Sequence, residues 1–197
     1  MKWPDASAFE IESRWTLDAT IEEILTIIRK PVSLTQWWSA VFMKAEVILS
    51  GGSDLVGLTV RFFTKGLLPH TFQFTARVVA ATSHGELQIR TWGDFNGHGA
   101  VHLIRTATGA DVHICWRVDV KQPYIRPLFW MAKPIFTANH RWAMRRGREG
   151  LQAEVLRRRR GATELPKASR QRPSFPHNLD AVQHAFRWTR DDRRWSD

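Results

Sequence analysis

The chain has 197 residues, 43% of them hydrophobic, which suits one domain with a real core and leaves too little for two comfortable ones. Its single cysteine, Cys115, excludes an internal disulfide and fits a reducing, cytoplasmic compartment. The net charge of +10 is uneven: residues 157–197 hold 11 Lys/Arg against 5 Asp/Glu, so the body is only mildly basic.

The opening, MKWPDASAFEIESR, turns acidic at once and lacks the basic-then-apolar pattern of a secretion signal. Residues 9–17 alternate apolar and polar side chains, as a half-buried strand does. Asp18 or Thr20 can cap the helix that follows. Glu22 and Glu23 suit its first turn, and Ile21, Ile24, Leu25 and Ile28 form its apolar stripe. Pro31 ends it. Residues 33–38 predict a second short helix that closes on Trp37 and Trp38.

Six strand signals come next, at 40–49, 58–64, 71–82, 86–92, 100–106 and 110–120, separated by short Gly-, Pro- or Ser-containing links. Short links between successive strands predict an antiparallel meander. In the last strand Val112, Ile114, Trp116 and Val118 alternate with Asp111, His113, Cys115 and Arg117. Residues 124–160 then repeat apolar positions at helical spacing, including Leu128, Met131, Ile135, Phe136, His140, Ala143, Met144, Leu151 and Val155. Pro134 predicts a kink or break, and Arg157–Arg160 suit a helix C-terminus. From Gly161 the composition turns to Pro, Ser and Arg. The expected division is a folded domain over 1–160 and a basic linker or tail over 161–197, with a weak helical pattern from Asn178. The element order predicts an α+β fold: a curved seven-stranded antiparallel sheet gripping a long C-terminal helix, with two short helices after the first strand.

The order of elements, the Trp37-Trp38 pair, GDFNGHG between late strands and PLFWMAKPIFTANHRWAMRRGREGL on the last helix resemble the SRPBCC superfamily. This superfamily is also called START-like or helix-grip and includes polyketide cyclase/dehydrase-like proteins. The resemblance covers about residues 8–158. It implies a cavity between sheet and long helix that takes a lipid or polyketide-like molecule. It leaves open carrier, sensor and cofactor-independent cyclase roles, because one fold hosts many functions.

Several stretches invite a chemical reading. TWGDFNGHGA, residues 91–100, is glycine-rich, but it lies between two strands and has no Lys-Ser/Thr after its glycines, so it is no phosphate loop. It reads either as a hairpin connection or as a cavity mouth presenting Phe95 and His98. The histidines offer only the spaced pair His98 and His102, which does not specify a metal, and no metal or other cofactor is expected. No nucleophile elbow or triad is evident. Cys115 falls on the face opposite Trp116.

The ten tryptophans suit either core packing or an aromatic pocket wall. The expected cavity residues are Trp37, Trp38, Phe95, His98, Trp116, Phe136 and His140. In a cyclase-like mechanism His140 would orient or protonate a ligand carbonyl, with Asp94 or Arg61 as partner. The expected partner is a small apolar molecule. No motif specifies nucleic acid, and the basic tail could touch an anionic membrane surface.

Overall fold

A computed structural model describes residues 9–82, 85–120, 129–164 and 171–177. The chain forms β1 (Phe9–Leu17), α1 (Ile21–Ile28), a 3-10 turn (Pro31–Ser33), α2 (Leu34–Trp37), β2 (Phe42–Leu49), β3 (Thr59–Lys65), β4 (Thr71–Ala81), β5 (Glu86–Gly93), β6 (Phe95–Thr106), β7 (Gly109–Val120) and α3 (Phe129–Arg159). The seven strands make one antiparallel sheet in the order β1-β7-β6-β5-β4-β3-β2. This is the expected α+β architecture, with the meander closed by β1 returning beside β7.

Register follows from the period of two. Trp15 pairs with Val112, Ser13 with Ile114 and Ile11 with Trp116, so the apolar faces of β1 and β7 coincide. Trp15, Leu17, Ala110, Val112 and Ile114 are all buried there. Glu12, Arg14, His113 and Cys115 share the other face.

Helix α1 begins with a capping box. The Glu23 backbone N–H donates to Thr20 Oγ1, and the Thr20 N–H donates to Glu23 Oε2. Asp18 is not the cap. Ile24 and Ile27 are fully buried, with Ile21, Leu25 and Ile28 packed beside them, so the stripe includes Ile27, which the sequence reading left out.

Helix α3 is continuous through Pro134, so of the expected kink or break there is no break. Pro134 falls in the second turn, where it forfeits a single intrahelical bond. Ile135 is exposed rather than on the gripped face. Leu151 and Val155 are buried against α1 and the sheet. Gly150 permits the close approach of α2, because a Cβ there would lie 1.8 Å from the Trp37 carbonyl oxygen. The arginine run does more than face a helix dipole. Arg157 and Arg158 pair with buried Glu154 across one turn, and Arg159 reaches Glu23 on α1 at 2.8 Å.

Residues 171–177 pack on the domain as a strap. Ser39 Oγ donates to the Gln171 carbonyl at 2.8 Å, Gln171 Nε2 to the Arg146 carbonyl at 2.7 Å, and Ser174 Oγ to the Gly66 carbonyl at 2.7 Å. Lys65 Nζ donates to the Phe175 carbonyl at 3.0 Å. The helical pattern expected from Asn178 lies outside the described residues. No helix among the described residues is long and apolar enough to cross a membrane.

Candidate ligand cavity

Between the concave face of the sheet and α3 lies a cavity of about 390 Å³. Aromatic rings form a continuous chain around it. Trp15 meets Trp38 edge-on at 5.3 Å, Trp38 stacks with Trp37 at 5.7 Å, and Trp38 meets Phe42 at 5.0 Å. The chain continues through Phe62 and Phe74 to Phe95, with centroid steps of 5.1, 5.6 and 5.5 Å. Phe72 packs on Phe95 at 4.6 Å. Trp116 adds a further ring to the wall from β7. Aliphatic side chains from β3 to β7 fill the spaces between.

The polar groups on this wall are few: Thr64, Lys65, Thr91, Asn139 and His140. The Trp15 indole N–H and the Thr91 hydroxyl are buried with no hydrogen-bond partner among the described residues. Asn139 Oδ1 accepts from the Leu67 backbone N–H at 2.6 Å and from the Leu68 N–H at 3.3 Å, pinning the β3–β4 turn to α3. His140 Nε2 shares a hydrogen bond of 3.0 Å with Ser13 Oγ on β1. Burial pushes the His140 imidazole down to about 4, so it is neutral at pH 7.

Several of the expected site residues converge here. Trp37, Trp38, Phe95, Trp116 and His140 all line the cavity. Three others lie elsewhere. Arg61 sits on the opposite face of β3, 3.7 Å from Glu46. Asp94 Oδ2 accepts from the Gln73 backbone N–H at 2.7 Å and ties the β5–β6 reversal to β4. His98 is exposed, because strand alternation from Phe95 turns it outward. The side chain of Phe136 lies outside those described. Neither Arg61 nor Asp94 lines the cavity beside His140.

The glycine-rich stretch is mostly strand. The chain reverses at Gly93–Asp94, and Phe95 to Ala100 belong to β6. Sequence reasoning missed Phe42, Phe62, Phe72, Phe74 and Lys65 as wall residues. The alternation Phe72-x-Phe74 was a usable signal for two of them.

Among the described residues no group of three or more His, Cys, Asp or Glu side chains converges as a metal site. Cys115, a free thiol on the outer face, is pushed up by burial and by the nearby Glu12 and Glu10 carboxylates, which disfavours a nucleophilic thiolate.

No protein-family model and no curated protein sequence matches the chain. Solved structures do match. Zhui aromatase/cyclase from Streptomyces sp. R1128 superposes with a TM-score of 0.64 at 12% identity, over 80% of this chain and 99% of that one. TTHA0849 from Thermus thermophilus gives 0.59 at 14% identity, over 76% and 97%. Norcoclaurine synthase from Thalictrum flavum, in complex with dopamine and hydroxybenzaldehyde, gives 0.51 at 16% identity, over 76% and 87%. At such identities the likeness is one of fold. The chain shares their fold, a seven-stranded antiparallel sheet gripping a long C-terminal helix.

Proposed function

We infer that the protein binds a small apolar, preferably aromatic, molecule in the cavity, as a carrier or sensor. The observation behind this reading is the wall itself: a space of about 390 Å³ ringed by aromatic side chains, with few polar residues among them. Ligand pockets are of this size and composition. A structural neighbour that holds dopamine and hydroxybenzaldehyde supports an aromatic ligand class. The free thiol suits a reducing, cytoplasmic setting.

A cofactor-independent cyclase or dehydratase is the second reading, and His140 is its observation. A neutral imidazole held by Ser13 at the cavity wall could take or give a proton. With a pKa of about 4 it is a poor base at neutral pH, which ranks this reading second.

Native mass spectrometry of protein purified from its expression host tests the first reading. A stoichiometric small-molecule adduct, extractable into organic solvent, supports it. A clean apo mass, together with no thermal shift from a panel of lipids and aromatic polyketides, overturns it.

A further inference from the structure

The charge on the cavity wall narrows the ligand class, given the binding reading above. Among the described residues no Asp, Glu or Arg lines the cavity, and His140 is neutral, so Lys65 carries the formal charge of this wall. Lys65 is 1% exposed. Its Nζ donates to the Leu68 carbonyl at 2.9 Å and to the Phe175 carbonyl at 3.0 Å. An ammonium has three donors. Among the described residues two are used, both on neutral acceptors, and burial alone pulls the Lys65 amine below its ordinary value. A buried charge is costly unless an opposite charge meets it. Two carbonyls solvate the ammonium without neutralising it. Burial first, and then the Lys65 charge, lower the strap's His177 imidazole.

Two of the other polar residues, Asn139 and its neighbour His140, come from α3, and Asn139 holds the turn next to Lys65. Phe62, Phe74 and Phe95 continue the wall as rings, with the Thr91 hydroxyl on β5 among them. We propose that the cavity takes an amphiphile with a single acidic head group, a carboxylate or sulfonate, whose anionic oxygen pairs with Lys65 while its apolar body lies along these rings. A charge-assisted bond of this kind is stronger than a neutral one and sets the ligand's direction in the cavity.

Two fluorescent probes that differ by one sulfonate test this: anilinonaphthalene sulfonate and the neutral phenylnaphthylamine. The wild-type chain is expected to bind the sulfonate about tenfold more tightly or better at physiological salt. Lys65→Met is expected to erase that preference and leave the neutral probe's affinity within about twofold. Equal affinity of the wild type for both probes overturns the proposal, as does a preference that survives in folded Lys65→Met. Should Lys65→Met fail to fold, displacement of the neutral probe from the wild type decides. Decanoate must outcompete decanol, and parity between them overturns the proposal. Failure of both probes to bind overturns the cavity-binding reading itself. Binding of the neutral probe without discrimination removes only the role of Lys65.

Discussion

Gly99 on β6 lies directly beneath the indole of Trp116 on β7, its cross-strand partner. A Cβ at Gly99 would sit 2.4 Å from the indole Cζ3. The glycine is there because the ring lies over the sheet at that point, and the ring is part of the cavity wall. Gly99→Ala is expected to push the indole inward or to strain the sheet, lowering stability by about 1–3 kcal/mol. Urea unfolding measures the loss, and weaker uptake of phenylnaphthylamine reports the displaced ring. Unchanged stability and uptake would show that the ring can shift without consequence.

Ser13 and His140 join β1 to the middle of α3 through a side-chain bond. The folded imidazole titrates near 4, against 6.5 for an exposed one, because burial disfavours its charged form. The unfolded chain therefore binds more protons between these values. The stabilisation is full above pH 6.5 and is lost as pH falls toward 4. In His140→Gln this part of the pH dependence should flatten, by roughly 1–3 kcal/mol across that window. His177, also lowered by burial, contributes a remaining slope of the same sign. Chemical denaturation at a series of pH values checks this. An unaltered slope in the variant would remove His140 as its source.

Glu154 is buried at 3% exposure between Arg157 and Arg158. Burial pushes its carboxyl up, but hydrogen bonds from the two guanidiniums outweigh this and hold it below the usual range. Either arginine alone leaves the carboxylate paired. Arg157→Ala and Arg158→Ala are each expected to lose about 1 kcal/mol or less, and the double variant about 3–5 kcal/mol, because only then is a buried charge stranded. A double-mutant cycle in urea measures the coupling, and additive losses would refute it.

The capping box makes a separate acid-side prediction. Hydrogen bonding to Arg159, then to the Thr20 backbone, lowers the Glu23 carboxyl to about 2. Its stabilising effect is complete above the ordinary carboxylate value of about 4.5 and disappears as pH falls toward 2. Thr20→Ala removes one half of the box and is expected to lower stability by about 1 kcal/mol at neutral pH. Glu23→Gln removes the titrating half instead, and thermal unfolding should show a smaller difference between that variant and the parent chain at about pH 3 than at neutral pH.

These residues also mark what a linear reading can reach. Val112, Ile114 and Trp116 were legible because strand alternation is a local property, and so was Thr20 with Glu23 three residues on. The stretch from Thr91 to Ala100 does hold a hairpin reversal, at Gly93–Asp94, but the rest of it is strand, because glycine is a turn signal only on average. Gly99 is in a strand to admit a ring that lies 17 residues later in the chain. Lys65 follows the 58–64 strand signal and carries no local mark of burial. Its burial is made by the Leu68 turn and by Phe175, 110 residues away, and no local pattern encodes that distance. His98, Asp94 and Arg61 were attractive as chemistry, but the side of the sheet on which a residue falls is set by register.

The strap at 171–177 touches the domain through polar bonds and leaves Phe175 67% exposed. Bonds of that kind exchange with water almost evenly, so lifting the strap is cheap, whereas disturbing the aromatic wall is not. One bond of the strap differs from the rest: lifting it strips the buried Lys65 ammonium of one of its two carbonyl acceptors. The strap is therefore anchored at a single internal charge, and its exposed bonds can be lost one by one with little effect on the fold.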